Sequence, residues 1–318
     1  MRIAITGLGT FLGQHLVQRL QSRKDPPTVV GLDLKRPLRL AGDICFHDID
    51  LTDPVADTRL AEILRAERVE AVVHLAFRRF PSRAIEYDHD LETLGSLHVM
   101  SACAAAKVRR LVVQSTTMAY GARPDNPNFL AESHPLRGHP GAHNVQNRVA
   151  VEEILRDWSP RHPELELSVL RHCWVMGPSY FDRTVEFFEA QRIPTVLGCD
   201  PLLQFVHEED LLDVFERAAV ESHPGVFNVV GRGVVPLSTL LAQAGKRALP
   251  VPRGLLYRAA WLASQSASGD PPEGFFDYLR YLWVADGELG WAEFGEPLYT
   301  TGEAWSAFVG SRRMRRYR

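Results

Sequence analysis

Apolar and polar positions fall into two regimes along this chain. Short, largely apolar runs, at residues 3–5, 29–32, 69–77 and 111–113, have the length and composition of strands buried on both faces of a parallel sheet. Between them the apolar positions recur every three or four residues. Leu12, Leu16, Val17 and Leu20 form one such stripe, and the spacing predicts further helices over residues 55–67, 91–107 and 145–158. Later segments interleave, with helices expected over 183–191 and 211–220 and after Ser238. The apolar stretch 255–263, interrupted by Arg258, reads as a packed helix. Alternating strand and helix patterns predict an α/β fold.

The first 33 residues organise the rest. A run from Ile3 to Ile5 leads into Thr6-Gly7-Leu8-Gly9-Thr10-Phe11-Leu12-Gly13, and after the helical stripe a second run closes on Asp33. Strand, glycine turn, helix, strand and carboxylate make up a dinucleotide-binding βαβ unit. Glycines let the backbone approach a pyrophosphate, the helix N-terminus offers free N–H groups and a positive dipole end, and the carboxylate accepts from a ribose diol. The candidate cofactor residues here are Gly7, Gly9, Thr10, Phe11, Leu12, Gly13 and Asp33; a plain βαβ turn is the alternative use of the same glycines. Lys35 and Arg36 suit the 2′-phosphate of NADP, but Asp33 repels it, so NAD is favoured over NADP.

Composition narrows the partners. With 318 residues and 45% hydrophobic content, the chain can bury a full core in one large or two fused domains. A net charge of −3 and a pI near 6.5 argue against nucleic acid as the main partner. Cys45, Cys103, Cys173 and Cys199 form no CxxC pair, which suits a reduced cytoplasm. The twelve histidines form no HExxH or other ligand-spaced pair, so no metal is inferred. A strand directly after Met1 leaves no room for a signal peptide, and no apolar run approaches the ~20 residues of a membrane span. A cytoplasmic protein with no membrane partner is expected, its basic end, residues 311–318, lying in solvent.

The glycine turn resembles the Thr-Gly-x-x-Gly-x-x-Gly turn of extended short-chain dehydrogenases/reductases, the NAD-dependent epimerase/dehydratase family, with Thr10 at the middle glycine position. A β-branched residue disfavours positive φ and brings a side chain towards the phosphates, so a shifted loop and weaker affinity are expected. Residues 48–53 resemble the family's Asp-Leu-Thr-Asp turn, which implies Asp50 and the Leu51 backbone at the adenine edge; Thr52 or Asp53 also suits a helix cap. Residues 69–77 resemble Val-x-His-Leu-Ala-Ala, implying Leu75 and Ala76 beside the cofactor and a structural, hydrogen-bonded His74. In the helix 91–107 both family asparagines are changed, to Glu92 and His98. The strand ending in Ser115-Thr116 resembles Ser-Ser-x-x-Val-Tyr-Gly, which implies Ser115 at the cofactor and Thr116 at the catalytic hydroxyl position; such clusters are also ordinary turn chemistry.

Residues 165–178 resemble Leu-Arg-x-x-Asn-Val-x-Gly-Pro, with Trp174 in place of the asparagine, so a remodelled substrate pocket is expected. Further matches, over 203–210, 225–231 and 286–304, extend the resemblance to residues 2–307. They suggest Asp210 as the cap of the helix 211–220, His207 as structural, and Ser238 as the cap of the helix after it. The resemblance implies a Rossmann-type doubly wound parallel sheet over residues 1–174, also receiving segments near 203–232. A smaller discontinuous α/β substrate lobe over 175–307 and a basic tail over 308–318 would complete it. A small-molecule substrate is implied, as is a homodimer through the helices 91–107 and 145–158.

The family's Tyr-x-x-x-Lys pair falls on Asn144 and Arg148. In the family pattern the ammonium lowers the phenol pKa from ~10 and holds the nicotinamide ribose while the phenol moves a proton. Asn144 has no usable titrating proton, and Arg148 stays charged, able to clamp a ribose but not to act as a tunable acid. His143, Tyr120 or a group on a moving loop would have to substitute. Three readings follow: an atypical NAD(P)-dependent epimerase, dehydratase or reductase acting through Thr116 on a hydroxyl or carbonyl substrate, nucleotide sugars included; a catalytically silent NAD-binding sensor or scaffold; or a ligand-binding scaffold that has lost NAD.

Overall fold

The computed structural model describes residues 1–38, 44–78, 84–264 and 273–315. The first half runs β1 (Arg2–Thr6), α1 (Phe11–Gln21), β2 (Thr28–Asp33), β3 (Cys45–Asp48), α2 (Ala56–Ala66), β4 (Ala71–His74), α3 (Ile85–Ala106), β5 (Arg110–Thr116), α4 (His143–Trp158) and β6 (Glu166–His172). It continues through β7 (Trp174–Met176), α5 (Arg183–Glu189), β8 (Arg192–Val196), β9 (Leu202–Leu203), β10 (Phe205–His207), α6 (Glu208–Val220) and β11 (Gly225–Val229). The last elements are β12 (Val235–Pro236), α7 (Leu237–Ala244), β13 (Arg247–Val251), α8 (Arg253–Ser264), α9 (Glu288–Phe294) and α10 (Thr301–Arg315).

Seven strands form one parallel sheet in the order β11-β6-β5-β4-β1-β2-β3. The chain winds outward from β1 to β3 and then returns to lay β4 on the other side of β1. That reversal opens a crevice at the strand C-termini, where open α/β sheets bind ligands. Period-two alternation fills both faces: Ile3 and Ile5 join one core with Leu16 and Phe215, while Ala4 joins the other with Leu60, Val99 and Leu155. The fold is the Rossmann-type arrangement expected. β11 shows how a late segment joins the main sheet, and α6 pairs with α1 through Arg19–Glu209 at 2.6 Å and with the turn after α1 through Arg23–Glu216 at 2.5 Å. Three two-stranded pairs, β7–β10, β9–β12 and β8–β13, are built from the later part of the chain.

Several local expectations are corrected. Asp210 does not cap α6: that helix starts two residues earlier, and the His207 side chain accepts from the Glu209 N–H at 3.2 Å. Asp210 instead accepts from the Leu298 and Tyr299 N–H groups, at 2.9 and 3.1 Å, tying a distant loop to the helix. Ser238 is not a cap either, since its N–H and hydroxyl both donate to Asp200, at 2.8 and 2.6 Å. Helix α3 begins at Ile85, where an acidic first turn with Glu86 and Asp88 favours a start that apolar spacing does not reveal. In α8, Leu256 and Ala260 are buried but Leu255, Trp261 and Leu262 are more than half exposed, so packing describes only one side of it. The basic end is solvated only in part: α10 runs to Arg315 and Arg313 and Met314 are exposed, but Arg312 donates to the Pro178 and Tyr180 carbonyls at 3.0 and 3.1 Å. Residues 316–318 lie outside the described residues, as does the part of the Pro/Gly-rich region over 265–272.

Under the crevice floor, one buried polar network joins β5, α4, β6 and β11. The Arg171 guanidinium donates bidentately to Glu152, with contacts of 2.6 to 3.0 Å, and the Ser115 hydroxyl donates to the same carboxylate. Arg171 also donates to the Tyr120 hydroxyl at 2.8 Å, and that hydroxyl donates to Asn228 at 2.8 Å. Removing one member of such a pair leaves the other charge buried and uncompensated. Arg171→Met is expected to cost about 3–5 kcal/mol of folding stability, measured by urea unfolding, and adding Glu152→Gln should recover part of the loss.

Candidate functional site

The glycine turn is shaped by a close approach of two backbones. Gly7 sits at φ +68°, and a Cβ there would overlap the Leu75 carbonyl at the end of β4. Gly13 is equally restricted, since an added Cβ would lie 2.7 Å from the Gly7 oxygen. Thr10 departs from the expected strain: its φ is −73°, in extended backbone, so positive φ is not demanded of it. Its hydroxyl caps α1 by accepting from the Gly13 N–H at 3.0 Å. Asp33 is brought onto the turn, where one carboxylate oxygen accepts from the Gly9 N–H at 2.7 Å and the other from the Leu34 N–H at 2.7 Å.

From this turn the crevice runs along the strand ends. Its first part is lined by Gly7, Gly9, Thr10, Asp33, Leu51 and Ala76. The second part, sharing Thr10, Phe77 and Arg78 with the first, is lined by Phe11, Leu12, Ser115, Thr116, Asn144 and Arg148, among others. Gly13, Asp50 and Leu75 are not among the lining residues. The Asp50 carboxylate is engaged in its own turn, accepting from the Thr52 N–H at 2.9 Å and its hydroxyl at 2.7 Å. Leu75 is fully buried, and its N–H donates to the Thr6 carbonyl at 3.2 Å. Thr116 is both a turn former and a crevice residue, its hydroxyl accepting from the Met118 N–H at 3.2 Å.

The Arg148 side chain, 12% exposed, lies in the crevice wall with its guanidinium carbon 3.6 Å from the Phe77 ring centroid. Behind it is Glu92, 1% exposed, at 3.8 Å. Burial lowers the Arg148 pKa from its ordinary value, opposed by Glu92, Tyr180 and Glu152. Burial likewise raises the Glu92 carboxyl, against the pull of Arg148 and of hydrogen bonds from the Arg78 N–H and Asn147. Arg148 Nη1 is buried without a hydrogen-bond partner among the described residues, in a side chain that belongs to the crevice lining.

The proposed substitute acids are redistributed. Tyr120 is 1% exposed, spends its hydroxyl within the Arg171 network, and is pushed up to about 12 by burial. His143, exposed at the first position of α4, is absent from the crevice lining. Another tyrosine belongs to the lining: Tyr180, in the loop after β7, lines the crevice with Arg148 and stands edge-on to Phe11 at 5.0 Å. The Glu208 carboxylate positions that loop by accepting from the Ser179 N–H at 3.0 Å and the Tyr180 N–H at 2.5 Å. Sequence spacing around residue 180 carried no sign of this. Trp174 packs among Phe188, Phe205, Phe275 and Trp283 at 5.0 to 6.4 Å, giving the far wall an aromatic backing. His172, at the same end, accepts from the Gln114 amide at 3.0 Å and donates to the Cys173 carbonyl at 2.7 Å.

His74, by contrast, belongs to the scaffold. It is 1% exposed, with Nδ1 at 2.7 Å from the Thr6 hydroxyl and Nε2 at 3.0 Å from the Ser96 hydroxyl. Because Ser96 donates onward to the Glu92 carbonyl, Nε2 carries the proton and Nδ1 accepts from Thr6.

Comparison with known proteins gives a consistent picture. Residues 3–230 match the profile of the NAD dependent epimerase/dehydratase family. An uncharacterized protein of Mycobacterium tuberculosis is 28% identical over 318 residues, spanning 98% of this chain and 84% of its own length. A UDP-glucose 4-epimerase of Erwinia amylovora is 29% identical over 191 residues, 56% of this chain and 54% of that protein. Among solved structures, MoeE5 in complex with UDP-glucuronic acid and NAD superposes with a TM-score of 0.75 at 21% identity, covering 99% of this chain and 100% of that one. The UDP-glucose 4-epimerase of Thermus thermophilus, complexed with NAD, reaches 0.73 at 22% identity, over 98% and 99%. At such identities the structural likeness establishes the shared fold.

The scaffold histidine predicts a pH dependence. Burial, assisted by the Arg148 charge, lowers the His74 pKa from 6.5 to about 3, and burial lowers His172 to about 4. The unfolded chain therefore binds more protons in this range, so the stability is complete above pH 6.5 and is lost as pH falls through the folded-state values. Between pH 6 and 4, the urea-unfolding free energy of the wild type should fall more steeply than that of His74→Asn by about 1.4 kcal/mol per pH unit.

Proposed function

The chain belongs to the NAD-dependent epimerase/dehydratase family, and on that footing we propose that it binds NAD and acts on a hydroxyl or carbonyl group of a small molecule, with Tyr180 replacing the usual phenol. The observation that carries this reading is the buried Arg148 Nη1, without an acceptor among the described residues, in the wall of a crevice that begins at Asp33 and the glycine turn. A donor so placed suits a ribose hydroxyl. Asp33 suits the adenosine ribose and disfavours a 2′-phosphate, while the N-terminus of α1 suits the diphosphate. NAD, when bound, supplies the hydride acceptor or donor.

The protein's own residues supply orientation and the proton. The Thr116 hydroxyl and the Asn144 amide hydrogen-bond the reacting oxygen, and neither titrates usefully. The Arg148 charge interacts with Tyr180, and a cation beside a phenol favours release of its proton. Tyr180 then takes the substrate hydroxyl's proton as hydride leaves carbon, or returns it in the reverse direction. The phenol thus comes from the loop after β7, whereas the cation still comes from α4. The crevice's aromatic backing around Trp174 suits a sugar or other ring substrate, and the nucleotide-sugar ligands of the family's solved members make UDP-sugars the first class to test.

Calorimetry should show micromolar NAD binding, weaker binding of NADP, and a loss of about tenfold or more in Asp33→Ala, the scale of a lost charge-assisted contact. In a turnover screen over UDP-sugars, ketones and alcohols, Tyr180→Phe should lower kcat by about 10²–10⁴-fold with NAD affinity unchanged. Full turnover in Tyr180→Phe would remove that residue from the mechanism; NAD binding with no turnover on any substrate would leave a silent NAD-binding protein.

A further inference from the structure

Away from the crevice, three metal-ligating side chains of different types converge at the edge of the sheet. Cys45 and His47 are two positions apart on β3, so they leave the same face of the strand. There they meet Glu67, at the C-terminus of α2. The Cys45 Sγ lies 3.4 Å from His47 Nε2 and 3.1 Å from Glu67 Oε1, and His47 Nε2 is 3.1 Å from the same oxygen. All three ligand atoms lie within 4.8 Å of one another.

The dimensions can be compared with a real coordination sphere. Tetrahedral zinc, with a metal–sulfur bond of about 2.3 Å and metal–nitrogen and metal–oxygen bonds of about 2.0–2.2 Å, places sulfur about 3.5 Å from the other donors and those donors about 3.3 Å from each other. The observed triangle is smaller by only a few tenths of an ångström, so small side-chain rotations suffice to admit the ion. An outer-sphere partner is also present. Arg2 Nη1 donates to Glu67 Oε2 at 2.8 Å and to the Glu67 carbonyl at 3.1 Å, which turns the free oxygen, Oε1, towards Cys45 and His47. Cys45 is exposed, so water has access to a fourth position.

The geometry points to a divalent zinc-class metal site made by Cys45, His47 and Glu67, with water completing the tetrahedron, that fastens the sheet's edge strand to the end of α2. A thiolate, imidazole and carboxylate set selects a borderline ion such as Zn²⁺ over Mg²⁺ or Ca²⁺, which prefer all-oxygen shells. On binding, the thiol proton now donated to Glu67 leaves to water as the sulfur–metal bond forms, the His47 ring proton shifts from Nε2 to Nδ1 so that Nε2 can ligate, and no electron is transferred. The site belongs to the edge of the sheet, where His47 is in register with Leu32 of β2, and none of its three ligands lines the crevice.

Co²⁺ titration of the tag-free, chelator-stripped full chain should give one equivalent bound, with a thiolate-to-cobalt charge-transfer band that Zn²⁺ displaces. Cys45→Ser should abolish the band, His47→Gln should weaken binding by about tenfold or more, and Cys199→Ser, remote in sequence, should leave both unchanged. A missing band, or one that survives Cys45→Ser, overturns the assignment. A measurement on the wild type alone guards against poorly folded variants: Zn²⁺ should slow iodoacetamide labelling of Cys45 about tenfold or more without slowing that of Cys199, as read by peptide mass spectrometry. An unchanged Cys45 rate equally overturns it.

Discussion

The carbonyl of Leu75 and the Cα of Gly7 approach so closely that no side chain fits between them. This contact is where β1 and β4 end side by side, and it is the point at which the winding of the sheet reverses. Everything functional is disposed around it. The turn that follows Gly7 presents the start of α1 and draws Asp33 inward, while the chain that follows Leu75 supplies Ala76 and Phe77 to the crevice. Positive φ and absent Cβ are needed at Gly7 for steric reasons alone, whatever binds nearby. The neighbouring Thr10 shows the limit of that requirement, since it sits in ordinary extended backbone and contributes a cap instead.

A second constraint is the burial of the Arg148 cation. A guanidinium taken out of water needs compensation, and here it comes from the face of Phe77, the charge of Glu92 and the electrostatic influence of Tyr180. Lysine would bring a compact point charge to this position, whereas arginine brings a plane that stacks and a fork of donors. The exchange at Arg148 therefore belongs with its surroundings. Glu92, 3.8 Å away, provides a counter-charge, and Tyr180 lines the same crevice as Asn144 and Arg148.

The parts of this architecture legible from sequence are those set by neighbours along the chain. The apolar runs and three-to-four spacing yielded the strands and most helices, and the glycine turn with Asp33 could be placed because a βαβ unit is local. Caps were misassigned where tertiary partners prevailed: Asp210 and Ser238 look like helix caps by proximity, yet their hydrogen bonds go to residues 298–299 and Asp200. Tyr180 was invisible for the same reason, being placed by Glu208, 28 residues further on. Cys45 and His47 carry neither helical nor CxxC spacing; the strand they share brings alternate residues to one face, a pairing the sequence alone does not mark.

The last long helix gives the loop bearing Tyr180 a second anchor. Arg312 holds the Pro178 and Tyr180 carbonyls and pairs with Glu189 at 2.5 Å, so a segment synthesised well after the sheet secures one side of a cavity whose other residues come from the earlier strands and turns. On the ribosome, the Rossmann half can emerge and fold long before that clasp exists. The nascent protein passes through a stage at which its sheet is assembled but the mouth of its crevice is not yet latched.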